Sequence, residues 1–379
     1  MKILLIGEYY SYNMGDPLLC RTVEKLIKAE YPQADVIPFD MSGQTGFGSS
    51  FDLRQRTFGE RCLSKALDTL SVLFPRRPFF NKYATYRTRH LSMLFSLFHT
   101  LRENHFDLAV FAGGSLFMDY FSSIIYMIMN ILSWKKIPVI FHACGTGTMD
   151  DNSIRLLDQA LQKDNIRSIS LRDSYELFNR QFHTQCPVTK TFDTALNCSR
   201  LYPKAEVLNA QYGICVIHRP EYFEAQKNFI QHLINHGKSF KLYTNGLPKD
   251  YEIAEKILSE LGISPDHYAQ YLLPKAQDEQ ELIQQVTSFN HIYAYRMHSL
   301  IIASSFGINH FGFVGEAKIP MFYRHLNAED RCAALDANSD FDAILDISNY
   351  PITNLGSLAA SQADHSFACL IDSISQCIK

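Results

Sequence analysis

Short apolar runs alternate with longer amphipathic segments through the first half of the chain. Runs such as KILLI (2–6), DLAVFA (107–112) and IPVIFHA (137–143) each precede a segment of helical length. Strands that are apolar throughout, and that are separated by helices, are typical of a parallel sheet covered on both faces. The pattern therefore predicts a doubly wound α/β domain.

The same alternation begins again after residue 210. Because a single core rarely exceeds roughly 250 to 300 residues, a chain of 379 residues favours two domains. We predict two Rossmann-like doubly wound domains facing a cleft, over residues 1–203 and 204–379, with a helix in 357–378 that crosses back to the first domain. The runs predicted as strands of the second domain are YGICVI (212–217), SFKLYT (239–244), YAQYLL (268–273), HIYAY (291–295) and INHFGF (308–313).

Composition and charge exclude several classes of protein. The chain is 46% apolar and 20% charged, as folded proteins are. A net charge of -3 provides no overall field that attracts nucleic acid, so no nucleic-acid partner is expected and any anion site must be local. The 9 cysteines are scattered without a CxxC pair, which favours reduced thiols in the cytoplasm and predicts no metal site.

Membrane association is expected at most at the surface. The N-terminal apolar run is too short for the apolar core of a secretion signal. The longest apolar stretch, 121–134, is shorter than the roughly 18 to 20 residues that cross a bilayer. Residues 76–102 mix basic and aromatic side chains, and such a helix face can lie on an anionic membrane as a peripheral contact. A solvated helix that packs one side on the sheet is the competing interpretation.

Candidate chemistry lies in the loops that follow strands, because ligands of doubly wound sheets bind beyond the carboxyl ends of the strands. After the first strand, Asn13, Gly15 and Asp16 form a turn that is predicted to begin a helix, with Asp16 as its N-cap. A helix N-terminus suits an anionic ligand. A capped turn that binds nothing is the alternative.

Three further turns of the first domain carry polar or flexible residues. Gly113, Gly114 and Ser115 follow the run AVFA, and the glycines allow either a sharp turn or the close approach of a ligand, without the GxGxxG spacing of a dinucleotide site. Arg172 and Asp193 also end predicted strands. Arg172 is either an anion clamp or the partner of a carboxylate, and taken singly the salt bridge is favoured.

Two basic pairs end strands of the second domain. His218 and Arg219 follow ICVI, whereas Arg296 and His298 follow YAY, with His298 in the first turn of a predicted helix over 297–306. A helix start combined with a guanidinium and an imidazole gives a site for phosphate or carboxylate. A satisfied core histidine and an ion-paired arginine are the alternative for either residue alone.

Taken in order, these turns resemble the polysaccharide pyruvyl transferase family over residues 1 to about 315. The resemblance implies two halves like those of a GT-B glycosyltransferase, and transfer of pyruvate from phosphoenolpyruvate to a pair of sugar hydroxyls with formation of a ketal. It implies no cofactor, and a saccharide acceptor of a polysaccharide repeat unit, lipid-linked at the cytoplasmic face of the inner membrane. The motifs that carry it are NMGD (13–16), AGGSLF (112–117), LRDS (171–174), FDTAL (192–196) and RMHSLIIASSFGI (296–308).

The resemblance also implies roles for individual residues. Arg296 and His298 match an R-x-H turn associated with donor binding, and Arg172 matches a further contact. Because an imidazole titrates near neutral pH, we expect His298 to be the acid that protonates the enol. Asp16 or Asp193 is the expected base. Two other functions stay open: a GT-B glycosyltransferase that uses a nucleotide-sugar, and a protein that binds an anionic sugar without catalysis.

Overall fold

The computed structural model describes residues 1–42, 46, 87–208, 210–336 and 339–378. The chain divides into two compact units. Unit 1 comprises Met1–Ser11, Leu19–Thr194 and His365–Lys379, and unit 2 comprises Tyr12–Leu18 and Ala195–Asp364. Each unit has its own parallel sheet with helices, so the predicted α/β class is confirmed. The unit changes after Thr194, whereas the sequence pattern placed the boundary at 203. The sequence also led us to expect the acceptor in the domain over 1–203 and phosphoenolpyruvate in the domain over 204–379, and this assignment stays a prediction.

The sheet of unit 1 has six parallel strands in the order β2-β1-β3-β4-β5-β6. Its central strands form from continuous apolar runs, and all six residues of β4 are buried. Pro38 lies in β2, at the edge of the sheet, where a residue without an N–H is tolerated. The strands are β1 Lys2–Gly7, β2 Asp35–Asp40, β3 Leu108–Ala112, β4 Val139–Cys144, β5 Ile166–Leu171 and β6 Val188–Lys190.

The helices between these strands pack apolar faces on the sheet. In Asp119–Trp134, the buried residues Ile124, Ile125, Ile128 and Leu132 recur at helical spacing. Each such side chain stabilises the fold by about 1.5–3 kcal/mol relative to exposure. The helices are Gly15–Glu30, Arg87–Glu103, Asp119–Trp134, Asp151–Leu161 and Tyr175–Gln181.

The sheet of unit 2 has five parallel strands in the order β11-β10-β9-β7-β8. Its core includes Tyr293 and Phe229, whose rings lie 5.2 Å apart between β9 and the helix after β7. The strands are β7 Tyr212–Cys215, β8 Phe240–Tyr243, β9 His291–Ala294, β10 Asn309–Phe313 and β11 Cys332–Ala333. The α-helices that begin in this part of the chain are Cys198–Leu201, Phe223–Asn235, Pro248–Glu260, Tyr268–Tyr271, Glu279–Thr287, Met297–Ser305, Lys318–His325, Phe341–Asn349 and Leu355–Ile378, with 3-10 turns at Thr194–Asn197, Pro220–Tyr222, Pro265–His267 and Glu329–Arg331.

The strand order defines where a ligand is expected in unit 2. The chain passes from β7 to β8 on one side and then crosses to β9 on the other side of β7. The loops that follow β7 and β9 therefore diverge to opposite faces of the sheet and leave a crevice at its carboxyl edge. The equivalent crossover in unit 1 lies between β1 and β3.

One predicted strand is wrong. Residues 268–273, YAQYLL, form the helix Tyr268–Tyr271 instead, and Leu272 makes only a single parallel bridge with Leu242 of β8. Tyr268 and Tyr271 lie three residues apart, so one helical turn places both on the same side, where they pack, partly buried, against the core of unit 2.

The C-terminal segment forms a helix, as its pattern predicted, over Leu355–Ile378. Residues up to Asp364 belong to unit 2, and those from His365 onward belong to unit 1. Within unit 1, the hydroxyl groups of Tyr31 and Ser375 lie 3.0 Å apart. None of the helices in the described part of the chain is long and apolar enough to cross a membrane.

Candidate active site

A buried carboxylate joins the two loops that flank the crevice of unit 2. Arg296 follows β9, and its Nη2 donates to Oδ2 of Asp250 at 2.6 Å. The other oxygen of Asp250 accepts the backbone N–H of His218, in the loop after β7, at 2.7 Å. The side chain of Asp250 is 1% exposed and that of Arg296 is 25% exposed. Asp250 therefore fixes the guanidinium at the crossover while leaving part of it accessible.

Asp250 is a candidate site residue that the sequence pattern did not reveal. It lies in the first turn of the helix Pro248–Glu260, where an acidic residue is ordinarily explained by the helix dipole alone. The available signal was a cluster of small and polar residues, TNGLPKD (244–250), directly after β8. Because ligands of such sheets bind beyond the carboxyl ends of the strands, a polar loop in this position is a candidate for the site.

His298 packs against the loop that contains the NMGD motif. Its imidazole is 8% exposed, in the first turn of the helix Met297–Ser305. A Cβ added to Gly15 would lie 2.0 Å from Nδ1 of His298 and 2.7 Å from its Cγ. Only glycine leaves room for this ring, which gives Gly15 a role in unit 2 that its place in the first strand-to-helix turn did not suggest.

Backbone contacts fix the same loop. The N–H of Met14 donates to the carbonyl of Asn245 at 2.9 Å. Gly246 has a φ of 96°, and a Cβ there would lie 2.6 Å from the carbonyl of Tyr12. Residues 12–18 consequently belong to unit 2, although they precede most of unit 1 in the chain.

Asn13 and Asp16 interact with each other within this loop. Asn13 donates from Nδ2 to Oδ2 of Asp16 at 3.0 Å, and the N–H of Asp16 donates to the carbonyl of Asn13 at 2.9 Å. The helix begins at Gly15, so Asp16 lies in its first turn instead of capping it as expected. Its carboxylate is half-buried and follows directly on the glycine that contacts His298.

Several buried donors near the crossover lack a protein acceptor among the described residues, and two of them are guanidinium or amide nitrogens. These two are Nε of Arg296 and Nδ2 of Asn245. Asn245 accepts from Oγ of Ser299 at 2.9 Å through Oδ1, and this contact orients its amide. Because buried donors are nearly always paired, both suit an anionic ligand that accepts hydrogen bonds.

His218 and Arg219 are exposed in the loop after β7. The Nη2 of Arg219 lies 3.7 Å from a carboxylate oxygen of Glu316, a residue that follows β10. Both side chains are more than half exposed, so this ion pair is weak and the arginine can turn toward a ligand. The structure thus brings Arg219, Arg296 and His298 to one edge of the unit 2 sheet.

Arg172 and Asp193 form a buried ion pair with each other in unit 1. Nε of Arg172 also lies 3.4 Å from Oδ2 of Asp173, and Asp173 accepts the N–H of Thr146 at 2.9 Å. The arginine is therefore held inside unit 1 by carboxylates. This geometry favours the salt-bridge interpretation for both residues, while the donor contact and the base stay predictions.

Gly113 and Gly114 meet backbone requirements of their own. Their φ angles are 60° and 74°, which side-chain-bearing residues rarely adopt. A Cβ on Gly113 would also lie 2.7 Å from Cβ of Leu19, and the carbonyl of Gly114 accepts the N–H of Gly145 at 2.8 Å. The turn is thus explained by packing, and contact between a ligand and Ser115 stays a prediction.

A comparison with known protein families identifies one family whose sequence model spans all of these turns. The sequence model of the family described as polysaccharide pyruvyl transferase matches residues 13–315, and every candidate residue named above from Asn13 to His298 lies within the match. The chain belongs to the polysaccharide pyruvyl transferase family. No curated protein matches this pyruvyl transferase family member significantly in sequence.

Solved structures show the fold that this family member shares. The MnaA protein of S. aureus in a co-structure with UDP is 11% identical, with a TM-score of 0.56, over 99% of this chain and 96% of that one. The UDP-GlcNAc 2-epimerase of Neisseria meningitidis bound to UDP-GlcNAc is 11% identical, with a TM-score of 0.55, over 99% and 100%. The spinosyn rhamnosyltransferase SpnG is 12% identical, with a TM-score of 0.51, over 99% and 100%. These likenesses establish the fold of GT-B glycosyltransferases and epimerases.

Proposed function

We propose that the protein transfers pyruvate from phosphoenolpyruvate to two hydroxyls of one sugar in a polysaccharide repeat unit, forming a ketal and releasing phosphate. The observation that carries the proposal is the placement of Arg296, fixed by Asp250, and His298 at the carboxyl edge of the unit 2 sheet. The family to which the chain belongs supports it, since its description names this class of transfer.

The charges at this edge suit the donor. Phosphoenolpyruvate carries about three negative charges near neutral pH, and charge-assisted hydrogen bonds to arginine are the strongest contacts available to such a ligand. Nε of Arg296 is buried and lacks a protein acceptor among the described residues, so a carboxylate or phosphate oxygen satisfies it. Arg219 adds a second, exposed guanidinium, and the first turn of the helix Met297–Ser305 adds a positive dipole end.

The reaction requires one acid and one base. In the proposal, His298 delivers a proton to the methylene carbon of the enol, which becomes a methyl group and leaves an oxocarbenium-like carbon. A sugar hydroxyl adds to this carbon while Asp16 accepts its proton. The bond to phosphate then breaks, Arg296 balances the charge of the leaving phosphate, and the second hydroxyl adds to close the ketal. Of the two hydroxyl protons, one replaces the proton that His298 gave and the other leaves with phosphate.

Asp16 is the better candidate for the base. Asp193 is buried and ion-paired with Arg172, so its carboxylate already balances a buried positive charge. Asp16 is half-buried and follows Gly15, the residue against which His298 packs. Asn13 donates to its carboxylate, and an amide donor orients a carboxylate without neutralising it.

The alternative function is transfer of a sugar from a nucleotide donor. The fold that the chain shares with the UDP-bound MnaA protein is the observation that favours it. In that case Arg296 and His298 would hold the diphosphate. A protein that only binds an anionic sugar would use the same basic edge, but it would release no phosphate.

We also propose that the acceptor is lipid-linked and that the protein meets the membrane at its cytoplasmic face. Residues 76–86 of the basic and aromatic segment lie outside the described residues. The helix Arg87–Glu103 exposes Phe95 and Phe98, at 71% and 45%, on one side of the helix. Sedimentation with anionic vesicles tests the contact, because Phe95→Ser should reduce the bound fraction and leave thermal stability unchanged.

Two measurements test the function. Phosphoenolpyruvate should raise the Tm in a thermal-shift assay, whereas UDP-sugars should leave it unchanged. With a panel of lipid-linked glycans, phosphate release should depend on both donor and acceptor, and the product mass should increase by one pyruvyl group. A Tm that responds only to nucleotide-sugars would favour the glycosyltransferase, and donor binding without phosphate release would favour the binding protein.

A further inference from the structure

Three metal-ligating side chains meet on the surface of unit 2, outside the candidate active site. His232 and His236 are one turn apart at the end of the helix Phe223–Asn235, and Asp342 lies in the first turn of the helix Phe341–Asn349. One ring nitrogen of each histidine and one carboxylate oxygen all lie within 4.8 Å of one another. Histidines spaced i and i+4 on a helix present both rings on one face.

The hydrogen bond of His236 leaves its second nitrogen available as a ligand. Its Nδ1 lies 2.9 Å from the carbonyl oxygen of His232. A carbonyl only accepts, so Nδ1 must carry the proton, and in the neutral ring Nε2 keeps its lone pair. A backbone carbonyl on the distal nitrogen is one of the usual partners that orient metal-binding histidines.

The spacing of the other two ligands suits a small cation. Nε2 of His232 lies 3.1 Å from Oδ1 of Asp342. Ligands about 2.0–2.2 Å from a tetrahedral zinc ion are separated by roughly 3.3 Å, so a metal fits between these atoms with little movement. The proton that now joins them moves to Nδ1 or to solvent when the metal binds.

We propose that His232, His236 and Asp342 bind a divalent transition-metal ion, with Zn²⁺ preferred. Two imidazoles and one carboxylate suit zinc, and water supplies the fourth ligand. The ring of Phe341 lies 5.5 Å from the rings of both His232 and Phe229, which gives the site an apolar floor. The metal cross-links the two helices.

The position indicates a structural role. The helix Phe223–Asn235 follows β7 and precedes the parallel strand β8, so its last turn lies at the amino edge of the sheet. Arg296 and His298 lie at the carboxyl edge. Metal binding should therefore raise stability without adding a group to the donor site.

Zinc titration of the untagged, chelator-treated full chain tests the site, with Co²⁺ as a spectroscopic substitute. We expect one equivalent of Zn²⁺ in competition with a chromophoric chelator, and a Tm that rises with the metal concentration. His236→Gln should weaken affinity by at least about tenfold, and Asp342→Asn should weaken it as well. His183→Gln is the matched control, since His183 is 84% exposed and also pairs with an aspartate, in unit 1.

Thiols are the competing ligands, and Co²⁺ distinguishes them. Among the described residues, Cys186, Cys332, Cys369 and Cys377 are partly accessible. Bound Co²⁺ should give ligand-field bands without the intense near-ultraviolet band of a thiolate. A thiolate band, undiminished zinc affinity in the His232→Gln/His236→Gln double variant, or no binding at micromolar zinc would each overturn the proposal. Circular dichroism of the variants verifies that the fold is retained.

Discussion

Gly15 lies against the imidazole of His298, so closely that a methyl group in place of its hydrogen would overlap Nδ1. Gly15→Ala should therefore displace the ring and lower kcat by about a hundredfold, since a shift of about 1 Å in a catalytic group has an effect of that size. Steady-state phosphate release measures it. Gly356→Ala is the matched control, because no atom lies within 4 Å of a Cβ there. A Gly15→Ala enzyme within twofold of wild type would remove His298 from the chemistry.

Asp250 should act through Arg296. Asp250→Asn keeps an oxygen for the N–H of His218 but removes the charge that holds the guanidinium. Because hydrogen bonds to charged groups contribute about 1.5–3 kcal/mol, we expect KM for phosphoenolpyruvate to rise by about tenfold or more while kcat changes less.

The matched control for Asp250→Asn is Glu316→Gln, which alters the exposed pair with Arg219. Exposed pairs contribute little, so its Tm should equal that of wild type. A lower Tm with an unchanged KM in Asp250→Asn would make Asp250 a purely structural residue.

Arg172 and Asp193 should matter for folding more than for donor binding. Removing one member of a buried ion pair leaves the other charge uncompensated and costs about 3–5 kcal/mol. Arg172→Met and Asp193→Leu should each lower the free energy of unfolding in urea by that amount, and the double variant should recover part of the loss. Phosphoenolpyruvate affinity, measured well below each Tm, should be unchanged. Loss of affinity in the folded Arg172→Met protein would restore the donor contact expected from the sequence.

Acid should destabilise unit 1 through His142. Burial lowers the pKa of His142 to about 3, against the opposing effect of Asp193. The unfolded chain takes up a proton near pH 6.5 and the folded chain does not, so stability is complete above about pH 6.5 and is lost toward about pH 3, by about 1.4 kcal/mol per pH unit.

His142→Gln tests this dependence, because glutamine can still bond to Ser170. As the pH is lowered from about 6 to about 4, the unfolding free energy of the variant should fall less steeply than that of wild type. The difference between the slopes should correspond to the uptake of one proton on unfolding. His310 of unit 2 has a pKa lowered to about 3, mainly by burial, and is unchanged in the variant. The difference in slope between wild type and the variant therefore measures the contribution of His142 alone. Equal slopes would mean that His142 is already protonated in the folded protein.

The local pattern of the chain was sufficient for most of the sheet. A strand buried on both faces, such as β3, is apolar throughout, and that requirement is visible in a short window of sequence. Residues 268–273 misled the prediction because an aromatic run fits a strand or one helical turn equally well. Tertiary packing determines which of the two structures forms, and the local sequence gives no indication of it.

The site was predicted only in part for a related reason. Arg296 and His298 are neighbours in the chain, so one turn revealed both. The contacts of Asp250 with Arg296, and of Gly15 with His298, join segments that are distant in sequence. Periodicity describes one element at a time and cannot report which loops meet. The assignment of residues 12–18 to unit 2 was hidden for the same reason.

The division of the helix Leu355–Ile378 between the units has a consequence for synthesis. Its last part packs in unit 1, where His365 lies edge-on to Phe192 at 5.6 Å, yet the ribosome makes it after all of unit 2. While unit 2 is being synthesised, the surface of nascent unit 1 that the end of this helix covers is still exposed. Unit 1, which begins the chain, is thus completed only by residues made after unit 2.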